Sequence, residues 1–170
     1  HTLQMAGLLN EPALQDSISI QIQSLALSLQ PLGLGFSDYF APDGDDTLAA
    51  IAILKGTGHD VPEAPLRFFQ NGTHFVAYQG EMQPAASVTA RGLHALSMSN
   101  ETMPTAENFI VERQQKDGRW LGDKWNSSWF YTTYLSLFAL SQHNGNGRSH
   151  YLSAGNAIRK HQNRDGGWST

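Results

Sequence analysis

Apolar residues along the chain fall mostly three or four positions apart, the spacing of one helical face. Between Pro12 and Leu29 the register holds Leu14, Ile18, Ile22, Leu25 and Leu29, and the Pro31, Gly33 and Gly35 cluster ends the pattern. Such a face belongs against a core. The same reading predicts helices over 46–55, stopped by Gly56 and Gly58, and over 62–70, capped by Asp60 and stopped by Asn71-Gly72. Further helices are expected over 85–98, 104–116, 129–142 and 149–162. Loops rich in Gly, Asn and Asp separate them, and only Thr73 to Tyr78 reads as extended. The expected class is all-α.

A repeat organises these helices. Gln114-Gln-Lys-Asp-Gly-Arg-Trp120 and Gln162-Asn-Arg-Asp-Gly-Gly-Trp168 share Gln, Asp, Gly and Trp at matching offsets, about one helical hairpin apart, which implies stacked or circularly arranged helix pairs. In each copy the Gln is expected in the last turn of a helix and Asp-Gly in the turn itself. The Trp should fold back as an apolar lid whose indole N–H needs an acceptor. This is the physics of a stabilising clasp, not of catalysis.

Composition narrows the partners. The 170 residues, 40% hydrophobic, suffice for one globular domain spanning the chain. Eleven Lys and Arg against 15 Asp and Glu leave a net charge of -4, and the basic residues are scattered singly, which excludes a nucleic-acid footprint. The absence of cysteine removes disulfides, thiolate metal sites and cysteine nucleophiles together, and suits a reducing, cytoplasmic setting. No apolar run reaches membrane-span length, and His1 to Asn10 lacks the basic start of a signal peptide. No metal site is expected.

Candidate chemistry concentrates in Asp43-Gly-Asp45-Asp46-Thr47, directly ahead of an apolar helix-forming run. Like charges this close oppose one another's ionisation, while the positive end of a helix beginning at Asp46 or Thr47 would stabilise anions. The same pentapeptide fits DxDxT, the nucleophile motif of haloacid-dehalogenase-like phosphotransferases, with Asp43 as nucleophile. That alternative requires a buried strand just before the motif and a parallel sheet. The preceding GLGFSDYFAP is not strand-like.

Four motifs in a fixed order carry a family resemblance. QQKDGRW and QNRDGGW resemble the QW repeats of squalene-hopene and related terpene cyclases, whose fold is a toroid of α-helical hairpins. DGDDT resembles the DxDD motif of class II, protonation-initiated cyclases. GHDVPEAPLRFFQNGTHFVAYQGE and LGDKWNSSWFYTTYLSLFAL look like the β domain of class II diterpene cyclases of the copalyl diphosphate synthase type. The likeness runs from about Phe36 to Trp168.

The resemblance implies an all-α toroid and a set of roles. Asp45, the middle acid, would protonate the terminal alkene of a linear isoprenoid substrate. Asp43 and Asp46 would stay ionised as better-solvated or capping members. Lys124, in the DKW tripeptide, would bind a diphosphate. Trp125, Trp129, Tyr131 and Tyr78 would present aromatic faces to a migrating cation, with Phe130, Tyr134, Tyr39 and Phe75 as further candidates. Arg91 stands near the place where relatives carry an Asn or His that holds the water removing the final proton, and His94 lies one turn along as a substitute. Protonation needs no cofactor, and Mg2+ would accompany a diphosphate substrate. A complete toroid takes more helices than are counted here, so a γ domain or a further segment of the same protein is an expected partner. Otherwise the chain resembles single-domain meroterpenoid cyclases acting on a prenylated aromatic acid. A non-catalytic toroid module is the alternative without chemistry.

Overall fold

The computed structural model describes residues 7–37, 39–142 and 148–168. Seven α-helices dominate the described residues: α1 (Gln15–Ser28), α2 (Gly44–Gly56), α3 (Ala64–Phe68), α4 (Ala86–Ser97), α5 (Pro104–Val111), α6 (Trp129–Gln142) and α7 (Arg148–Lys160). A two-stranded antiparallel hairpin, β1 (Gln70–Asn71) with β2 (His74–Phe75), is inserted between α3 and α4.

Helix α4 is the centre of the fold. All but two of its residues are buried, and it packs mainly against α2 on one side and α6 on the other. Gly92 permits the close approach of the Phe75 ring, because a Cβ there would run into it. Leu48, Ile51 and Leu54 of α2, Leu93 and Leu96 of α4 and Ile110 of α5 are almost fully buried in one continuous core. The predicted stripe of α1 is the inward one: Ile22 is buried, and Ile18, Leu25 and Leu29 pack against the core.

Two predicted helices are shorter than their patterns. Over 62–70 only Ala64–Phe68 is helical, because Gln70 and Asn71 pair with Phe75 and His74 around a Gly72 turn at φ 55°. Backbone pairing takes up the groups that a further helical turn would have used. Over 104–116 the helix ends at Val111, where the bonds from Arg113 to Ile110 and from Gln114 to Val111 tighten the chain. Gln114 and Gln162 therefore follow their helices instead of occupying the last turn.

The two repeat turns share one geometry. The Gln114 amide donates to the Gly118 carbonyl at 2.9 Å and the Gln162 amide to Gly166 at 2.7 Å. The glycines adopt φ 95° and 86°, the left-handed conformation that the turn demands. The indole N–H of Trp120 donates to Ile110 O at 2.7 Å, and that of Trp168 to Ile158 O at 2.9 Å. Each Trp thus caps a carbonyl near the end of the helix before it.

Candidate active site

The acid motif is placed by the head of α2. Asp43 is its N-cap in extended conformation, and its Oδ1 accepts from the Asp46 N–H at 2.9 Å. The helix therefore begins at Gly44, ahead of the expected start. Thr47 exchanges two hydrogen bonds with the Leu34 backbone, at 2.8 and 3.0 Å, and the Asp43 N–H donates to Leu34 O at 3.0 Å. Gly44 N–H donates to Ala77 O at 2.8 Å, and a Cβ on Gly44 would strike the Val76 carbonyl. The glycine of DGDD is thus dictated by the chain segment after β2.

The three carboxylates have unequal surroundings. Asp43 is the expected cap, but it is not well solvated: it is 9% exposed, and burial raises its pKa to about 6 despite the Asp46 N–H and with help from the Asp46 and Asp45 charges. Asp45 reaches α4, where its Oδ1 lies 2.7 Å from Arg91 Nε. Burial raises the Asp45 pKa more than the Arg91 charge lowers it, and Asp46 and Asp123 add to the rise. The contact is ionic without being a formed hydrogen bond, since neither Asp45 Oδ1 nor Arg91 Nε–H has a partner of acceptable geometry. Arg91 is only 10% exposed, and its Nη2 donates to the Tyr131 hydroxyl of α6 at 2.5 Å.

Lys124 and Trp125 form a second group beside the acids. The Lys124 ammonium pairs with Glu81, whose side chain is 4% exposed. The same carboxylate accepts the Trp125 indole N–H at 3.1 Å and the Ala77 N–H at 2.7 Å. Tyr78 and Trp125 stack at 5.7 Å with tilted rings, and Lys124 Nζ lies 5.5 Å from the Trp125 ring centre. Burial and the charges of Asp43, Asp46 and Glu81 push the Tyr78 phenol up. Asp123 supports the loop: its Oδ2 accepts the Ser87 N–H at the start of α4 at 2.9 Å, and its Oδ1 accepts the Trp125 and Asn126 N–H groups, each at 3.0 Å.

Other candidates lie elsewhere. Trp129 stacks on Phe130 at 3.7 Å, meets His161 edge-on at 5.1 Å and carries the Arg119 guanidinium, which places it with the repeat turns. Tyr39 is exposed, Phe75 is buried beneath Gly92, and His94 is buried edge-on to Phe138 at 4.6 Å. The phosphotransferase alternative for Asp43 fails on geometry. The motif caps a helix after an irregular loop, and the described residues hold only the two-stranded hairpin, with no parallel sheet. Surface clefts of about 310 to 480 Å³ lie against α1 and its flanking loops, against the α3 segment and beside the loop before α5, and these are lined by neither Asp45 nor Lys124.

Glu81 and Asp123 were not singled out by sequence. Both lie in motif-bearing stretches, YQGE and GDKW, but an isolated acid in a loop carries no periodic or spacing signal.

Comparison with known proteins places the chain in a family. Residues 73–170 match the family model described as the squalene-hopene cyclase C-terminal domain, more than half of the chain, and the chain belongs to that family of terpene cyclases. It is 44% identical over 99% of its length to (+)-kolavenyl diphosphate synthase of Herpetosiphon aurantiacus, of which it covers 32%. It is 30% identical over 75% of its length to copalyl diphosphate synthase of Streptomyces cyslabdanicus, of which it covers 26%. The fold matches ent-copalyl diphosphate synthase from Streptomyces platensis with a TM-score of 0.81, covering 89% of this chain and 32% of that one at 24% identity. The chain thus spans about a third of the length of these relatives. No described helix is long and apolar enough to cross a membrane.

Proposed function

We propose that this chain is the acid-bearing α/α domain of a class II cyclase that protonates the terminal alkene of a linear polyprenyl diphosphate, geranylgeranyl diphosphate first among them. The cation then runs through successive ring closures to a final deprotonation, and the diphosphate is retained. The observation that carries this reading is the pairing of Asp45 with Arg91. An alkene is a very weak base, so its proton donor must hold a proton until the substrate is bound and yet leave a strongly stabilised anion when it gives that proton up. Burial raises the proton affinity of Asp45, and a guanidinium at 2.7 Å stabilises the carboxylate left behind once the proton is given up. Asp43 and Asp46 complete the head of the helix, Asp43 by capping it.

Tyr131, which accepts from the Arg91 guanidinium, and the Tyr78–Trp125 pair supply aromatic surface that can stabilise positive charge without capturing it. The relatives' names favour a diphosphate substrate over a prenylated aromatic acid. Mg2+ would accompany a diphosphate substrate, and no step is assigned to it; among the described residues no group of three or more His, Asp or Glu side chains could hold a metal ion. A second, γ-type domain completes the cavity around Asp45, as the chain's one-third share of its relatives suggests.

The test is to incubate the full-length protein with geranylgeranyl diphosphate, squalene and a prenylated hydroxybenzoate and to analyse products by mass spectrometry. A cyclic product retaining diphosphate is expected. Exclusive turnover of squalene or of the hydroxybenzoate would contradict the substrate assignment.

A further inference from the structure

Two short chains of contacts lead from the DKW loop to the two members of the Asp45–Arg91 pair. On one side, Asp123 accepts the Ser87 N–H and so fixes the first turn of α4, one turn before Arg91. On the other side, Glu81 joins Lys124 and the Trp125 indole to the Ala77 N–H. The carbonyl of that same Ala77 holds the Gly44 N–H, the first residue of α2, next to Asp45. Gly44 fits against this segment so closely that no side chain could stand there, so a shift of residues 76–77 must move the head of α2.

We propose that the DKW loop and Glu81 act as a strut that sets the spacing between Asp45 and Arg91, and that Glu81 and Asp123 are positioning residues for proton transfer. The inference rests on the assignment of Asp45 as the acid. It gives Lys124 a different task from holding a substrate's anion. Its ammonium neutralises a nearly inaccessible carboxylate, and drawing it away to a diphosphate would strand that buried charge. The charged groups that act on Asp45 are Asp46 from its own helix with Asp43 at the cap, Arg91 from α4 with Tyr131 behind it on α6, and Asp123 from the loop. Loosening the strut withdraws Arg91, the cation of this set that lowers the proton affinity of Asp45.

The experiment measures kcat and KM against pH for the full-length protein with geranylgeranyl diphosphate, comparing wild type, Glu81→Gln, Trp125→Phe and Asp45→Asn. Glu81→Gln retains a single acceptor oxygen, so the side chain can no longer accept from Ala77 N–H on one side and from Lys124 and Trp125 on the other, and the ammonium loses its counter-charge. The expected result is a fall in kcat of about tenfold or more with KM within about twofold, since misplacing a reacting group costs rate more than binding. The alkaline limb of kcat should also move to higher pH, because an acid freed from Arg91 keeps its proton longer. Trp125→Phe keeps an aromatic ring on the Tyr78 side while deleting the indole donor and narrowing the ring system, so its pH profile, which a lost aromatic face would not move, is the deciding readout. It should shift both quantities the same way by less, and it carries the test if Glu81→Gln does not fold. Wild-type kcat and pH profile in Trp125→Phe and a folded Glu81→Gln, with Asp45→Asn inactive, would overturn the strut and leave the acid assignment standing. A raised KM with unchanged kcat would overturn it equally, in favour of a substrate anchor. Turnover by Asp45→Asn would remove the acid assignment itself.

Discussion

The head of α2 and the paired Gln-Asp-Gly-Trp turns hold much of the chain's distinctive polar chemistry, and they satisfy it in opposite ways. In the turns the shared polar side chains all meet backbone: Gln114 and Gln162 donate to glycine carbonyls, Trp120 and Trp168 to helix carbonyls, and Asp117 and Asp165 accept N–H groups two residues on, the exposed Asp117 pairing with Arg119 besides. At the head of α2 the charges meet one another, Asp45 with Arg91 and Glu81 with Lys124, and the closest approach to Asp45 is not a formed hydrogen bond. Polar groups closed on backbone hold a fold together. Charges half-buried against each other carry free energy that a reaction can draw on.

The contrast predicts which property each substitution will break. Asp45→Asn should lower turnover by about a thousandfold or more, the scale of a general acid, while thermal unfolding stays close to wild type. Trp120→Ala should do the reverse. It empties a fully buried site and deletes an indole bond, at a cost of about 3–5 kcal/mol in chemical denaturation, with activity per folded molecule retained.

Asp43 sharpens the comparison, because it belongs to the motif yet serves as a cap. Its pKa, raised from 3.8 to about 6, means that the folded chain binds a proton more tightly than the unfolded one. Stability should therefore fall as pH rises from about 4 through about 6, and the whole cost, on the order of 3 kcal/mol, is present above that. Asp43→Asn keeps the cap and removes the buried charge. Denaturation curves at pH 5 and pH 8 should show the variant gaining about 1–3 kcal/mol on the wild type at pH 8 and much less at pH 5. The smallest effect is expected from Trp168→Ala, about 1–2 kcal/mol by the same assay, since Trp168 is 47% exposed where its counterpart is buried. Equal losses at the two tryptophans would show that the turns do not act through burial.

Much of this was readable from residue order where local physics decides. The α1 stripe, the Asp-Gly turns, the indole acceptors and the acid motif at a helix head all follow from spacing and turn chemistry. Where distant segments decide, the sequence was silent. The helix expected over 62–70 gives way to the hairpin because Gln70 finds Phe75, and the one over 104–116 ends early because its carbonyls are closed by Trp120 and by tight turns. Within the site, Asp45, Arg91, Tyr131, Lys124 and Trp125 were all singled out. Their pairing was not, because a contact between α2 and α4 leaves no trace in either segment's own pattern. Asp43 shows the limit most clearly, since a capping carboxylate reads the same whether its surroundings are wet or dry.

The central claim is that the reaction begins with a proton delivered by Asp45. It is tested most directly by running the reaction in D2O with geranylgeranyl diphosphate and locating deuterium in the product by mass spectrometry and NMR. The expected product is a cyclic diphosphate carrying one deuterium on the carbon of the former terminal alkene that received the proton, with no such product from Asp45→Asn. Product free of deuterium, release of pyrophosphate during cyclisation, or labelled product from Asp45→Asn would contradict it.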